Sequence, residues 1–150
     1  MNDSFHVSQI RTLAECNEFQ YLLLGDVRDL LDETPDDSNK KWLMAVLDVL
    51  VDLMPHERHL HETSGGYMKE VLDEFPNWYR LVMRLHLKKL HLHYALRDLR
   101  DRLRREASWV AVADQLSCEL RDWMDLFQQL HKAESSLIVE AVMLDVGAGD

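Results

Sequence analysis

The chain has 150 residues, of which 47% are hydrophobic and 29% charged, with only 5 glycines and 3 prolines. A chain of this length can bury one core without disulfides or a structural metal, so we expect a single domain over residues 1–150. The scarcity of turn-forming residues disfavours a many-stranded sheet and favours long helices. The net charge of −10 and the pI near 5.2 would repel nucleic-acid phosphates and anionic membrane surfaces, which excludes both as expected partners.

Cysteine usage and hydropathy predict the environment of the protein. Cys16 and Cys118 are far apart and show no metal-ligand spacing, and the N-terminus lacks a basic segment followed by an apolar run. No window holds the roughly 18 continuous apolar residues that a membrane span needs. We therefore expect a soluble, reduced protein in the cytoplasm.

Two helical patterns occupy the first half of the chain. Apolar residues recur at three- and four-residue steps over residues 8–32, and the polar stretch 34–38 ends this pattern. A second pattern begins at about Ser38 and continues past Pro55 to Glu62. The Gly65–Gly66 pair then opens a connector that extends to residue 75 and contains a short helical turn.

Two further helical patterns follow the connector. Leucines form a stripe over residues 76–105, with Pro76 at the predicted helix start. Ser108 is a predicted N-cap for the last helix, and residues 147–150 are predicted to form a flexible end. Four amphipathic helices with short connections predict an all-α fold, an up-down-up-down four-helix bundle.

Polar residues interrupt the apolar stripes of these predicted helices. On the second helix, the line through the core leucines continues to Arg58, His61 and Glu62, which we expect to face inward. On the last helix, the core line continues to His131 and Glu134.

The remaining two helices contribute fewer inward polar groups. Lys89 lies in the leucine stripe of the third helix, with His86 and His93 on the flank of that stripe. On the first helix, the inward polar positions are Asn17 and Gln20.

Burying such groups singly costs several kcal/mol, so they are expected to pair with one another, bind a metal or line a wet cavity. Imidazoles and carboxylates that converge from facing helices are the ligands of a di-iron bundle site. A histidine at a core edge also commonly donates to a backbone carbonyl or to water, so each residue taken alone has a purely structural interpretation. No nucleophile, Gly-rich phosphate loop or oxyanion device accompanies these residues, so we do not expect an enzyme.

Two stretches of the chain resemble the hemerythrin-like (HHE cation-binding) family. The first is the run His61-Glu-Thr-Ser-Gly-Gly-Tyr67, and the second is the C-terminal run 131–150, with Glu134, the segment 137–141 and the ending Asp-Val-Gly-Ala-Gly-Asp. The second run is similar to a bacterial branch of the family.

This resemblance implies a non-haem di-iron centre inside the bundle, because family members use such a centre to carry or sense dioxygen, handle nitric oxide or serve iron homeostasis. By similarity, the carboxylate ligands would be Glu62 and Glu134. The imidazole ligands would be drawn from four histidines: His61, His86, His93 and His131. A homodimer or a protein partner is also compatible with the sequence.

The chain departs from the family pattern at several of these positions. The family spaces its His and Glu four residues apart, whereas Arg58 precedes Glu62 and Leu130 precedes Glu134 by four. Arg58 and Lys89 would bring positive charge to the place of a dication and neutralise the two glutamates. The sequence therefore leaves two functions open: a bundle with a complete or degenerate iron site, and a metal-free interaction or regulatory module with a buried Arg, Lys, Glu and His network.

Overall fold

The computed structural model of the chain describes the backbone of residues 6–62 and 67–148 and the side chains of residues 6–62 and 71–144. Within these ranges the chain is all-helical, as predicted, and no strand occurs. The α-helices are α1 Leu13–Asp32, α2 Asp37–Glu62, α3 Tyr67–Glu74, α4 Tyr79–Arg105 and α5 Trp109–Ala148. Two short 3-10 turns, Val7–Gln9 and Pro76–Trp78, precede α1 and α4. The Gly65–Gly66 pair of the predicted connector lies outside the described residues.

Side-chain caps fix the starts of the first two helices. The Thr12 hydroxyl accepts a hydrogen bond from the Glu15 backbone N–H at 3.1 Å, and the Glu15 carboxylate accepts one from the Arg11 backbone N–H at 3.4 Å. The Thr12 N-cap starts α1 at Leu13, so the predicted start at Ser8 is wrong. α2 begins at Asp37, one residue before the predicted start, where Asp36 accepts from the Asn39 N–H at 2.7 Å, and it continues through Pro55 as predicted.

The last helix is longer than predicted. α5 comprises 40 residues, which at the usual rise of about 1.5 Å per residue gives a length of about 60 Å. It includes Gly147 and Ala148, so the prediction of a flexible end is wrong for these two residues. Gly149 and Asp150 lie outside the described residues.

Buried positions recur at alternating three- and four-residue steps, which is the spacing of left-handed coiled-coil packing. In α2 this seam contains Leu43, Leu47, Leu50, Met54, Glu57 and His61. In α4 it contains Val82, Leu85, Leu92, Leu96, Leu99 and Leu103, with Lys89 at the step between Leu85 and Leu92. The functional side chains described below therefore belong to the same seams that form the core.

Each long helix contacts two others: α1 packs on α2 and α5, and α4 packs on α2 and α5. Short α3 contacts α2, α4 and α5. Buried hydrogen bonds hold the packing in register, because the Trp109 indole N–H donates to Asn39 Oδ1 at 2.8 Å and Asn39 donates to the Leu30 carbonyl at 2.8 Å. The Trp123 indole N–H likewise donates to the Leu92 carbonyl at 2.8 Å. No helix in the described ranges combines the length and the apolar character needed to cross a membrane.

Candidate functional site

Each long helix brings a polar side chain to the same level of the core. α1 contributes Gln20, α2 contributes Glu57 and His61, and α5 contributes Glu134, and all of these side chains are buried. α4 contributes Lys89, whose side chain is only 16% exposed. We call these five residues the polar cluster. They occupy seam positions where the neighbouring turns supply leucines, so the apolar packing of the helices fixes their positions.

The Lys89 ammonium lies at the centre of the polar cluster. Its Nζ is 2.5 Å from Glu57 Oε1, 2.8 Å from Glu134 Oε1 and 3.2 Å from His61 Nε2. Burial by itself would lower the pKa of Lys89, but the charges and hydrogen bonds of Glu57 and Glu134 raise it above its ordinary value. The lysine therefore remains charged at neutral pH and acts as the cation of the cluster.

Glu57 accepts hydrogen bonds from more than one side chain of the polar cluster. Besides Lys89, it accepts a hydrogen bond from Gln20 Nε2 at 2.8 Å on Oε2, and its Oε1 is 3.5 Å from the Nε2 atoms of both His61 and His131. Burial would raise the pKa of Glu57, but the hydrogen bonds from the two histidines and the Lys89 charge hold it well below its ordinary value. Glu57 is therefore ionised over the whole physiological pH range.

The charges of the polar cluster do not balance when His61 is neutral. Glu57 and Glu134 carry two negative charges and Lys89 carries one positive charge, which leaves one negative charge. His61 lies between the two carboxylates, with Nε2 3.8 Å from Glu134 Oε2. The excess negative charge also reaches α1, where burial, followed by the Glu57 charge, raises the pKa of the Cys16 thiol to about 12. Cys16 is therefore an unreactive thiol in this environment.

Three residues of the polar cluster have the chemistry of metal ligands. One carboxylate oxygen each from Glu57 and Glu134 and one ring nitrogen of His61 lie within 4.8 Å of one another. His131, at the edge of the cluster, could add a second imidazole. These donors nevertheless converge on the Lys89 ammonium, which approaches one atom of each at hydrogen-bonding distance. With Lys89 in place, the described residues do not fit a di-iron centre, which in such bundles takes about six carboxylate and imidazole ligands.

A cavity of about 450 Å³ opens beside the polar cluster, between α2, α3 and α4. Lys89, Glu57, His61 and Glu134 form one end of it. Its other walls are largely apolar, and they also carry polar side chains from α2, α3 and α4. These polar side chains are Arg58, Glu62, Asp73, His86 and His93.

The structure brings some of the predicted ligands together and separates others. His61 and Glu134 lie in the polar cluster, and His131 borders it with a side chain that is 26% exposed. His86 and His93 are half-buried on the cavity wall and do not belong to the three-residue donor group. The prediction that Glu62 faces inward is wrong, because Glu62 is exposed.

The carboxylate that sequence reasoning missed is Glu57. The predicted core line of α2 runs from Met54 to Arg58, whereas the buried residues follow alternating three- and four-residue steps from Met54 to Glu57 and then to His61. Applied strictly, this spacing would have identified Glu57 in place of Glu62. The predicted neutralisation of a glutamate by Lys89 is confirmed for Glu134.

Comparison of the chain with known proteins finds no matching family model, no matching curated protein and no matching solved structure. The resemblance to the hemerythrin-like family therefore stays a prediction from the two sequence motifs.

Proposed function

We propose that residues 1–150 form one hemerythrin-like domain, an up-down-up-down four-helix bundle of α1, α2, α4 and α5. The pairwise contacts α1–α2, α2–α4, α4–α5 and α5–α1 support this arrangement, because they link the four helices into a ring. Only four residues, 33–36, connect α1 to α2, and only three, 106–108, connect α4 to α5, which favours antiparallel neighbours.

In this proposal the domain is a metal-free, non-enzymatic module of the cytoplasm that acts by regulation or interaction, through a protein partner or a second copy of the chain. One observation carries the proposal: the Lys89 ammonium contacts the very side chains that would otherwise ligate a metal. An ammonium and a divalent cation compete for the same carboxylates, and both cannot occupy the space between Glu57 and Glu134. The buried ion network then takes over the structural role of the metal.

A second candidate function is supported by the donor set itself. Glu57, His61 and Glu134, with His131 beside them, would suit a single non-haem iron ion, that is, a degenerate form of the family site. Such an iron would supply an open coordination position for dioxygen or nitric oxide. This function requires Lys89 to withdraw from the carboxylates, and the cavity that Lys89 borders would receive its side chain.

The iron content and visible absorption of protein purified from iron-supplemented cells distinguish the two functions. The metal-free module predicts a colourless, folded protein with far less than one iron per chain. Iron at one or two ions per chain, with absorption bands of a ferric or oxo-bridged centre, would overturn it and favour the second candidate. Lys89→Met, purified in parallel, is the matched variant, because removal of the ammonium should increase the iron content only if Lys89 excludes the metal.

A further inference from the structure

The cavity between α2, α3 and α4 has the dimensions of a small-molecule site. Its volume of about 450 Å³ lies within the range of roughly 300–1,000 Å³ that is usual for ligand pockets. Most of its wall surface is formed by apolar atoms, and its apolar lining side chains come from α2, α3 and α4: Met54, Pro55, Leu72, Val82, Met83, Leu85 and Leu90. Such a wall favours the apolar body of an organic ligand over water or a free ion.

Nitrogen-bearing side chains with unused hydrogen-bonding capacity line the same cavity. Arg58, His86 and His93 are half-buried there, and none of them makes a hydrogen bond or an ion pair to another residue in the described part of the chain. An arginine in such a position retains its full capacity for a bidentate bond to a carboxylate. A ligand with acceptor oxygens could therefore form hydrogen bonds with these three side chains.

Next to Arg58 itself the local charge is positive, which favours the carboxylate of a ligand over an amine at this position. Burial, followed by the charges of Arg97 and Arg58, lowers the pKa of His93, so this histidine is neutral at physiological pH and lies in a positive field. Lys89 neutralises only one of the two negative charges of Glu57 and Glu134, so one negative charge remains at the end of the cavity that the polar cluster forms. The other two carboxylates of the wall, Glu62 and Asp73, are exposed, so solvent screens their charge.

We propose that this cavity binds a small apolar carboxylic acid, with its carboxylate on the Arg58 guanidinium and its apolar body against Met54, Val82, Met83 and Leu85. The proposed site uses side chains of the cavity wall and is compatible with the Lys89 contacts to Glu57 and Glu134.

Isothermal titration calorimetry of the wild-type chain with octanoate, octylamine and octan-1-ol at neutral pH tests the proposal. We expect one octanoate per chain and weaker binding of the amine and the alcohol, because neither can form a charge-assisted pair with Arg58. Absence of octanoate binding, or octylamine binding as tight as that of octanoate, would overturn the assignment.

Two variants locate the site. Arg58→Gln should weaken octanoate binding by about tenfold or more, whereas Arg84→Gln, on the exposed face of α4, should leave the Kd within about twofold of the wild-type value. Met83→Trp, which fills the cavity and retains Arg58, should abolish binding while thermal unfolding shows that the chain is folded. Equal binding by the Arg58 and Arg84 variants, or full binding by the Met83 variant, would place octanoate elsewhere and refute the proposal.

Discussion

Replacing Lys89 by methionine removes the central charge of the polar cluster and keeps a side chain of similar length. Glu57 and Glu134 would then face each other without a cation, and the net charge of the cluster would change from −1 to −2 with a neutral His61. Breaking a buried ion pair from one side costs about 3–5 kcal/mol. Because the Lys89 side chain is 16% exposed, we expect the lower end of this range, about 3 kcal/mol.

Urea unfolding followed by circular dichroism at pH 7 measures this loss. In thermal unfolding, a chain of this size loses roughly 2–4 °C of Tm for each kcal/mol of stability lost, so the Tm of the variant should fall by on the order of 10 °C. Lys88→Met, one residue away on the exposed face of α4, is the control and should leave stability nearly unchanged. Adding Glu134→Gln to Lys89→Met should recover part of the loss, because it removes one of the stranded charges. Additive losses in the double variant, or a Lys89→Met cost below about 1 kcal/mol, as for an exposed pair, would refute the reasoning.

Glu57→Gln should lower the free energy of unfolding by about 2 kcal/mol, because it removes a charged hydrogen-bond acceptor. Glu62→Gln, at an exposed position, should change it by less than about 0.5 kcal/mol. Equal losses for the two variants in urea unfolding would contradict the assignment of Glu57 to the cluster. The pKa of Glu57 is below its ordinary value of 4.5, so its contribution is fully present above that value and is lost as the pH falls toward its folded-state pKa. Acid unfolding should therefore show a steeper decline for the wild type than for Glu57→Gln, and parallel curves would be inconsistent with the lowered pKa. Free thiols provide a further test: N-ethylmaleimide should label exposed Cys118 in the native protein and leave buried Cys16 unmodified until unfolding, and comparable labelling rates would argue against the buried thiol.

The all-helical fold was predictable because the leucine spacing repeats over long stretches with few glycines and prolines. Helix boundaries were predicted within a few residues where a cap or a proline marks them, as at Asp36. They were missed at α1, where the Thr12 N-cap overrides the apolar pattern that precedes it.

The candidate site was only partly predictable. Gln20 and Glu134 were expected to face inward and are buried, and Lys89 was expected in the core stripe and lies at the centre of the cluster. Asn17 was also expected to face inward but is exposed, because the seam of α1 passes through Cys16 and Gln20. A periodic pattern gives the face of each helix, but it does not give the relative shift of two helices along their axes. The convergence of Glu57, Lys89 and Glu134 on one point depends on that shift.

Titration of Co²⁺ into the wild type and Lys89→Met, followed by visible absorption, tests most directly whether Lys89 takes the place of a metal. Carboxylate and imidazole ligation gives Co²⁺ characteristic bands, and the ion would compete with the ammonium for Glu57, His61 and Glu134. We predict no specific Co²⁺ binding by the wild type and one Co²⁺ per chain in Lys89→Met. Tight binding by the wild type, with the same spectrum and affinity as the variant, would contradict the claim that the lysine occupies the cation position.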